Sequence, residues 1–269
     1  MLRFEDLQFQ LVEAPALVDG AAESGSGGLQ TLGLARNSDG IIIMVDLSED
    51  APRQMKLVLD ELEKARILVH KPRARIEIER KHVGAGLRIT VLGKLIHCSL
   101  RDIENLLKGY RILDATVRIT GEATIDDVED AIFESAIYRP AIVVANKADS
   151  PQARATLNQL NEFSSVKLPI IPVSCKTGKG LERLGAEIFR ALDIIRIYTK
   201  EPGDRLPSSN PFILKHGSTI ADLAKQIHSD FLKRFAYARV WAKRLTFSPR
   251  NVGSSFVLED KDVVELHMK

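Results

Sequence analysis

The sequence predicts an α/β protein: a doubly wound parallel sheet with an inserted α+β segment, followed by a compact α+β module. Three observations predict this class. Continuous apolar runs such as "IIIMV" and "AIVVA" alternate with amphipathic helices, which is typical of parallel sheets covered on both faces. A basic stretch at about residues 66–122 contains segments in which polar and apolar residues alternate. After Ile194 a Pro-, Gly- and Ser-rich loop separates short strands. We therefore predict domains at 1–193, with the insertion at about 66–122, and at 194–269.

The first elements are two short strands, a buried strand and a helix. "RFEDLQFQLVEAP" predicts two strands with a turn near Glu5-Asp6, and "GIIIMVDLSED" predicts a buried strand that leads into a loop. "PRQMKLVLDELEKARI" has helical spacing, because Met55, Leu59 and Leu62 fall on one face.

The insertion alternates between strands and capped helices. "ARIEIER" and "LRITVLG" are joined by "KHVGAG", which predicts a β-hairpin. "SLRDIENLLKGY" predicts a helix with a Ser N-cap and a closing Gly. "ATVRIT" predicts a strand, and "TIDDVEDAIFES" predicts a helix capped by Thr124.

Two further strand-and-helix units precede the C-terminal module. "AIVVAN" and "LPIIPVS" predict strands; "SPQARATLNQLNEF", with Ser150 as N-cap, and "GLERLGAEIFRALD" predict the helices that follow them. In the module, "IIRIYTK", "FILK" and "YARVWA" predict strands, "STIADLAKQIHSDF" predicts a helix, and two short strands are expected near the end.

Charge is distributed unevenly along a chain whose net charge is only +2. Residues 1–63 hold 4 Lys and Arg against 12 Asp and Glu, whereas residues 64–101 hold 10 against 2 and residues 215–250 hold 8 against 2. The two basic regions suit either a polyanionic partner such as RNA or an ordinary solvated surface. Cys98 and Cys175 form no metal-binding set and are expected to be free thiols. With no signal peptide or membrane-spanning run, we expect a cytoplasmic protein without membrane contact.

The motif Asn146-Lys147-x-Asp149 directly follows a predicted buried strand, where doubly wound folds bind ligands. A carboxylate at Asp149 can accept from both the guanine ring N–H and its exocyclic amine, a donor pair that adenine lacks. Asn146 can tie neighbouring loops together, and the stem of Lys147 can lie over the base. The alternative is an ordinary loop whose Asp lies near a helix N-terminus.

A second motif follows the next strand along the chain. Ser174-Cys175-Lys176 resembles the Ser-Ala-Lys loop by which GTPases present a backbone N–H to guanine O6. The two motifs are separated by one helix-strand unit, as a guanine pocket requires. Together they predict a GTPase-type domain, whereas either alone would equally suit a plain turn.

The segment "FQLVEAPALVDGA" resembles a degraded Asp-x-Pro-Gly switch. Glu13 stands where the switch has its Mg²⁺-linked Asp, and Ala16 stands where it has Gly. Either Glu13 still reaches a metal-bound water, or the segment is a decayed loop. The extra methylene of Glu13 and the lost φ freedom at Ala16 favour the decayed loop.

The chain resembles the developmentally regulated GTP-binding proteins of the Obg-related class. The resemblance is carried by "LVEAPALVDGAAESGSGGLQTLGLARNSDGIIIMVD", by the basic insertion, and by "IRIYTKEPGDRLPSSNPFIL" with the segments that follow it. The last matches the family's C-terminal TGS domain. The resemblance implies an incomplete P-loop GTPase-type sheet followed by a ubiquitin-like β-grasp domain. It leaves the family's N-terminal helical segment, P-loop and first switch unmatched, and its Gly-Lys-Gly-x-Gly switch is "SGSGG" at Ser24–Gly28.

By motif match, the resemblance implies that GTP or GDP binds at Asn146, Lys147 and Asp149, and less directly at Ser174, Cys175 and Lys176. Mg²⁺ would join it only if Glu13 still functions. Association with the ribosome or RNA in translation is implied, a regulatory protein partner is compatible with it, and DNA is not expected.

No G-x-x-x-x-G-K-[ST] loop occurs in the 269 residues. That loop supplies backbone N–H groups and a Lys for the phosphates and a hydroxyl for Mg²⁺, so we expect hydrolysis by this chain alone to be weak or lost. Three explanations stay open: a reading frame that begins upstream, a closed-up pseudo-GTPase sheet, or a strand supplied by another chain. The alternative function is a non-enzymatic RNA- or ribosome-binding adaptor that acts through the TGS domain and the basic insertion.

For that adaptor, cations interleaved with aromatic residues mark the C-terminal module, a composition that suits RNA contact. The aromatic residues can equally be one face of a strand. The candidate RNA-contact residues are Lys233, Arg234, Arg239, Lys243, Arg244 and Arg250.

Overall fold

The computed structural model describes residues 1–23, 27–133, 135–163, 167–228 and 234–268. They form two compact units: a central unit of Ala14–Leu181, and a terminal unit of Met1–Glu13 together with Glu182–Lys269. The predicted domain ranges, 1–193 and 194–269, stay a prediction. None of the helices in the described ranges is long and apolar enough to cross a lipid bilayer.

The helices and strands of both units follow in chain order. The helices are α1 (Gly28–Asn37), α2 (Ala51–Lys64), α3 (Leu100–Gly109), α4 (Ile125–Phe133), α5 (Ala153–Phe163), α6 (Leu184–Leu192) and α7 (Ile220–Ile227). The strands are β1 (Leu2–Phe4), β2 (Leu7–Phe9), β3 (Ile41–Asp46), β4 (Ile67–Leu68), β5 (Ala74–Arg80), β6 (Leu87–Leu95), β7 (Ala115–Ala123), β8 (Ile137–Tyr138), β9 (Ala141–Asn146), β10 (Ile170–Pro172), β11 (Ile194–Thr199), β12 (Phe212–Lys215), β13 (Phe235–Trp241), β14 (Arg250–Val252) and β15 (Val263–Met268).

The main sheet of the central unit is parallel and three-stranded, in the order β10-β9-β3. Its central strand, β9, is buried along almost its whole length, and Ala141, Val143 and Ala145 share a hydrophobic core with Met55 of α2 and Leu160 of α5. Helix α2 packs beside this sheet and buries Met55 and Leu62, as the helical spacing predicts. Asp50 caps this helix by accepting from the Arg53 N–H at 3.1 Å.

Strand β3 differs from the expected strand covered on both faces. Ile43 and Val45 are buried, but Ile42 and Met44 are 38% and 61% exposed. In the described part of the chain β3 pairs on one side only, with β9, so it is the edge of the sheet. An edge position leaves one face of the strand with few neighbours to cover it.

The insertion folds as a three-stranded sheet backed by α3 and α4. Both helices carry the predicted caps: Ser99 pairs with Asp102, and Thr124 pairs with Asp127. The predicted hairpin between "ARIEIER" and "LRITVLG" is wrong. The two strands, β5 and β6, form but do not pair with each other.

Strand β7 lies between them, antiparallel to β5 and parallel to β6. As the central strand it is the most fully buried of the three; Val117 and Ile119 are inaccessible to solvent. Asp114, just before β7, also fixes the turn that was assigned to the hairpin. Its carbonyl accepts from the Lys81 N–H, and its carboxylate accepts from the Gly86 N–H at 2.7 Å.

The terminal unit contains a five-stranded mixed sheet in the order β12-β11-β15-β13-β14. Strands β11 and β15 are parallel neighbours at its centre, and α7 packs its apolar face against the sheet through Ile220 and Leu223. The N-terminal hairpin β1-β2 belongs to the same unit, with the predicted turn at Glu5-Asp6. Arg196 on β11 forms an ion pair with Glu5, and the Tyr198 hydroxyl donates to Asp6 at 2.6 Å.

The predicted fold class is confirmed: a mixed α/β chain with a partial GTPase-type sheet, an inserted α+β segment and a β-grasp module. The predicted helix "SPQARATLNQLNEF" begins later than expected, at Ala153. Ser150 does not cap it, because its buried hydroxyl makes no hydrogen bond within the described ranges.

Candidate functional site

The two predicted guanine-reading motifs meet at one edge of the parallel sheet. Strands β3 and β9 end side by side, with Asp46 opposite Asn146 in the register. Strand β10 pairs with the other side of β9, so Ser174 follows at the same edge. We call the six predicted residues the candidate base site: Asn146, Lys147, Asp149, Ser174, Cys175 and Lys176.

The Asp149 carboxylate is held by the second motif. The hydroxyl of buried Ser174 donates to Asp149 Oδ1 at 2.6 Å and accepts from the Thr177 N–H at 3.1 Å. The hydrogen bond from Ser174 is the main cause that lowers the pKa of Asp149 below its usual range. Asp149 is therefore an anionic acceptor at neutral pH, with one carboxylate oxygen oriented by the protein.

Asn146 joins the same two loops. Its Oδ1 accepts from the Cys175 N–H at 3.2 Å, so this backbone N–H of the second motif has a partner within the protein. The Ala148 N–H also donates to the Val173 carbonyl at 2.9 Å. These two bonds keep the loops together at a fixed separation, which is the tying role predicted for Asn146.

The second loop is a tight turn whose glycines are required by its backbone. The Ser174 N–H donates to the Lys179 carbonyl and the Gly178 N–H donates to the Ser174 carbonyl, so residues 174–179 close on themselves. Gly178 and Gly180 have φ values of +80° and +85°. A Cβ at Gly180 would lie under 3.0 Å from the Pro172 carbonyl oxygen, so only glycine fits there.

Lys147 has a partner that the sequence did not predict. Its Nζ lies 2.5 Å from Asp46 Oδ2 and 3.3 Å from the Ser48 hydroxyl. The hydrogen bond to Asp46 is the main cause that raises the pKa of Lys147. Burial alone would raise the pKa of Asp46, but hydrogen bonds from Lys147 and Ser48 outweigh it and lower that pKa. The sequence places Asp46 and Asn146 at the ends of predicted strands, but it does not say that those two strands are neighbours.

The exposed surface of the site carries groups suited to a planar polar base. The side chains of Lys147, Asp149, Cys175 and Lys176 reach solvent, whereas Ser174 is buried beneath them. The arrangement presents an anionic acceptor, a lysine stem, and a turn whose Cys175 N–H is held by Asn146 Oδ1. This set can accept from adjacent ring and exocyclic N–H groups and can cover one face of a ring.

The degraded switch lies in an exposed segment. Glu13 and Ala16 are both exposed, and nearby Pro15 accepts from the Thr31 hydroxyl at 3.1 Å. Further on, buried Glu61 accepts from the Gly20 and Ala22 N–H groups. Within the described ranges no cluster of three or more His, Cys, Asp or Glu is placed to hold a metal ion. The part played by Mg²⁺ stays a prediction, and Ser24–Ser26 of the predicted "SGSGG" switch lies outside the described residues.

The candidate RNA-contact residues of the terminal unit fall into different environments. Arg244 is held inside its own domain, because it pairs with Glu259 at 3.0 Å and Asp262 at 2.6 Å. Arg239 lies 3.6 Å from buried Glu265. Lys243 and Arg250 are exposed. Arg234 has contacts of its own, and Lys233 lies outside the described residues.

The aromatic residues that the sequence paired with these cations are engaged on the sheet. Tyr237 stacks on His267 with ring centroids 4.3 Å apart, and Lys200 lies over the ring of Trp241. Among the described residues of this region, Phe247 is an exposed aromatic residue: it is 79% exposed and lies between Lys243 and Arg250 in the chain. Sequence reasoning missed it because it lies in a loop and outside any strand pattern.

Comparisons with known proteins match two consecutive parts of the chain to family models and the whole chain to curated relatives. The family model described as the C-terminal region of MMR_HSR1 domain matches residues 84–194, and that of the TGS domain matches residues 195–268. The chain is 32% identical over its whole length to developmentally-regulated G-protein 3 of Arabidopsis thaliana, of which it covers 71%. It is 28% identical over its whole length to developmentally-regulated GTP-binding protein 1 of Xenopus laevis, of which it covers 72%.

Among solved structures, the YchF GTPase of Schizosaccharomyces pombe is similar in fold. The match has a TM-score of 0.53 at 15% identity, and it covers 90% of this chain and 75% of that protein. At this identity the likeness concerns the fold alone.

Proposed function

Because this chain belongs to the family of developmentally regulated GTP-binding proteins, we propose that it binds guanine nucleotides, GTP or GDP, through the candidate base site. One observation carries the proposal: Ser174 of the second motif hydrogen-bonds Asp149 of the first, at the carboxyl edge of a parallel sheet. Two separate sequence motifs are thereby joined into one acceptor site in the place where such sheets bind ligands.

Each residue then has a chemical task. Asp149 accepts from the guanine ring N–H and the exocyclic amine. Asn146 holds the two loops together, and the stem of Lys147 covers one face of the base. The turn at Ser174, Cys175 and Lys176 offers backbone N–H groups to the base carbonyl. For the Cys175 N–H this requires the carbonyl to displace Asn146 Oδ1 or to share the hydrogen with it.

Titration of the chain with a fluorescent GDP labelled on its ribose tests the proposal. We expect saturable binding that unlabelled GDP and GTP displace and ADP does not. Asp149→Asn should abolish the preference for guanine and favour xanthine, because the amide can donate to the extra carbonyl of xanthine. Absence of saturable binding by the native chain, or an Asp149→Asn variant that binds GDP normally, would refute it.

We further propose that hydrolysis of GTP by this chain alone is slow or lost. The 269 residues contain no G-x-x-x-x-G-K-[ST] loop, and phosphoryl transfer depends on such a loop for positioning and charge stabilisation. A phosphate-release assay at saturating GTP and Mg²⁺ measures this. Turnover at the intrinsic rate of intact GTPases, on the order of 10⁻⁴ to 10⁻² per second, would overturn it.

A second candidate function is contact with RNA, in the free or ribosomal form, through the terminal unit. What supports it is the exposed loop in which Phe247 lies between the exposed cations Lys243 and Arg250. Exposed aromatic rings flanked by cations stack on unpaired bases while the cations contact phosphates. This proposal rests on the loop and leaves Arg244 in its structural role.

Binding to a labelled single-stranded RNA and co-sedimentation with ribosomes test the second candidate. Phe247→Ala should weaken RNA binding by about fivefold or more, since stacking contributes on the order of 1–3 kcal/mol per base. Lys243→Glu with Arg250→Glu should also lower its salt dependence. Lys225→Glu, a charge reversal on α7, is the matched control. If the control and the loop variants weaken binding equally, the loop is not the contact.

A further inference from the structure

We propose that Asp46 is a positioning residue of the candidate base site, which holds the Lys147 ammonium so that the lysine stem lies across one face of a bound guanine. The inference rests on the proposed function and adds a residue outside both sequence motifs. It also assigns a direction to Lys147: its charge is directed at Asp46, and its methylene groups are directed at the base.

The first support is the contact itself. Lys147 Nζ lies 2.5 Å from Asp46 Oδ2, and the Ser48 hydroxyl is a second neighbour at 3.3 Å. Charge-assisted hydrogen bonds of this length are stronger than neutral ones. The lysine side chain, although half exposed, is therefore held at its far end as well as at its backbone.

The second support is that Asp46 is itself fixed. Its Oδ1 accepts from the Ser48 N–H at 2.8 Å and from the Ser48 hydroxyl at 2.6 Å, and its own N–H donates to Gln54 on α2 at 2.9 Å. The Ser48 carbonyl accepts from Gln152, which follows the first motif, at 2.9 Å. The loops that follow β3 and β9 are thus hydrogen-bonded to each other at several points, so the ion pair has a rigid support.

The third support is the backbone of Lys147, which has a φ of +60°. A residue with a Cβ pays about 1–2 kcal/mol to adopt this left-handed conformation. The conformation directs the side chain toward the end of β3, where Asp46 lies opposite Asn146 in the register. Without the acid, the stem would be free to leave this position for solvent.

The arrangement makes a prediction about the ligand. Because Asp46 compensates the lysine charge, Lys147 should contribute to binding through the base and not through phosphate. Its contribution should then be the same for guanosine, GDP and GTP.

A double-mutant cycle with ribose-labelled GDP tests the inference. Asp46→Asn keeps the shape and most hydrogen bonds of the side chain but removes its charge, while Lys147→Met keeps the stem and removes the ammonium. We expect each single variant to bind GDP about three- to fivefold more weakly than the native chain, as suits a partly exposed ion pair. The double variant should bind no more weakly than either single variant.

Competition by unlabelled guanosine, GDP and GTP should show the same fold loss for all three ligands. Asp39→Asn, which removes one acid just before the opposite end of β3, is the matched control and should bind like the native chain. If Asp46→Asn fails to fold, as judged by thermal unfolding, Lys147→Met reports the same pair from the other side.

The inference is overturned if Asp46→Asn binds as tightly as the native chain, if its loss persists in the Lys147→Met background, or if the loss grows with the number of phosphates. Each of these results leaves guanine binding by the native chain intact. If the native chain itself shows no saturable binding, the proposed function fails and the positioning role fails with it.

Discussion

Replacing Gly121 by alanine tests how closely the strands of the inserted sheet approach one another. Gly121 lies on the central strand β7, opposite Ala74 of β5, and has a φ of +93°. A Cβ built there would lie under 3.0 Å from the Arg73 carbonyl oxygen, a separation that real Cβ atoms do not show. The methyl group would therefore push on the backbone of the neighbouring chain segment, which cannot rotate away as a side chain would.

Gly84 provides a control for the magnitude. Its φ is +92°, almost identical to that of Gly121, but a Cβ there would have no neighbour within 4 Å. Alanine at either position pays about 1–2 kcal/mol for the left-handed backbone. The steric conflict at Gly121 adds about 1–3 kcal/mol, the usual cost of forcing extra atoms into a packed region. We therefore expect Gly121→Ala to lower the free energy of unfolding by about 3 kcal/mol, and Gly84→Ala by about 1 kcal/mol.

Hydrogen exchange in increasing urea, followed by mass spectrometry of peptides within residues 74–123, is the suitable assay. The chain's single tryptophan, Trp241, lies in the terminal unit, so fluorescence would not report on the inserted sheet. Gly121→Ala should lower the opening free energy of β5, β6 and β7 together. Equal losses for Gly121→Ala and Gly84→Ala would refute the argument, because the backbone term would then account for the whole effect.

Two further predictions concern the thiols and the buried ion pair. A thiol reagent should label exposed Cys175 faster than Cys98, because burial raises the pKa of the Cys98 thiol. GDP at ten times its dissociation constant should slow the reaction of Cys175 about tenfold, whereas ADP should not slow it. Arg196 is 3% exposed and hydrogen-bonds Asp260 at 2.6 and 3.0 Å, so Arg196→Met should lower the free energy of unfolding by about 2–3 kcal/mol. The control Arg190→Met, at an exposed position, should lower it by under about 0.5 kcal/mol. Although burial raises the pKa of Asp260, hydrogen bonds from Arg196 outweigh it and lower that pKa. The stabilisation from this pair is therefore present above about pH 4 and is lost as the pH falls through the pKa of the folded state. The free energy of unfolding in urea should then change less between neutral and acidic pH for Arg196→Met than for the native chain.

The sequence could predict the parts of the site that depend on local order along the chain. Asn146 ends β9 and Ser174 comes shortly after β10, and parallel neighbours bring such ends to one edge of a sheet. The helix caps at Ser99 and Thr124 could also be predicted from the sequence, because a capping residue and its partner lie three residues apart. These features need only the order of elements and the chemistry of adjacent residues.

The sequence could not predict choices that depend on competition between distant segments. The turn between β5 and β6 has the composition of a hairpin, but β7 lies between the two strands and pairs with both. The pair of Lys147 with Asp46 joins residues about a hundred positions apart, and Arg244 finds Glu259 and Asp262 through the fold of its module. In each case a local pattern has several compatible partners, and only the packed structure selects one.

The proposed recognition of guanine rests on contacts that are separate from any that phosphate binding would require. Asp149 is oriented by Ser174, and Asn146 is oriented by the Cys175 N–H. Both contacts run between the loops that follow neighbouring strands β9 and β10, and neither depends on a group that would bind phosphate. Lys147 likewise has its charge compensated by Asp46, within the same sheet edge. Recognition of guanine is a matter of preformed hydrogen-bond geometry, whereas cleavage of a phosphate requires charge stabilisation around the transferred group. The proposed guanine binding rests on the first alone, through contacts that support one another, and does not require the second.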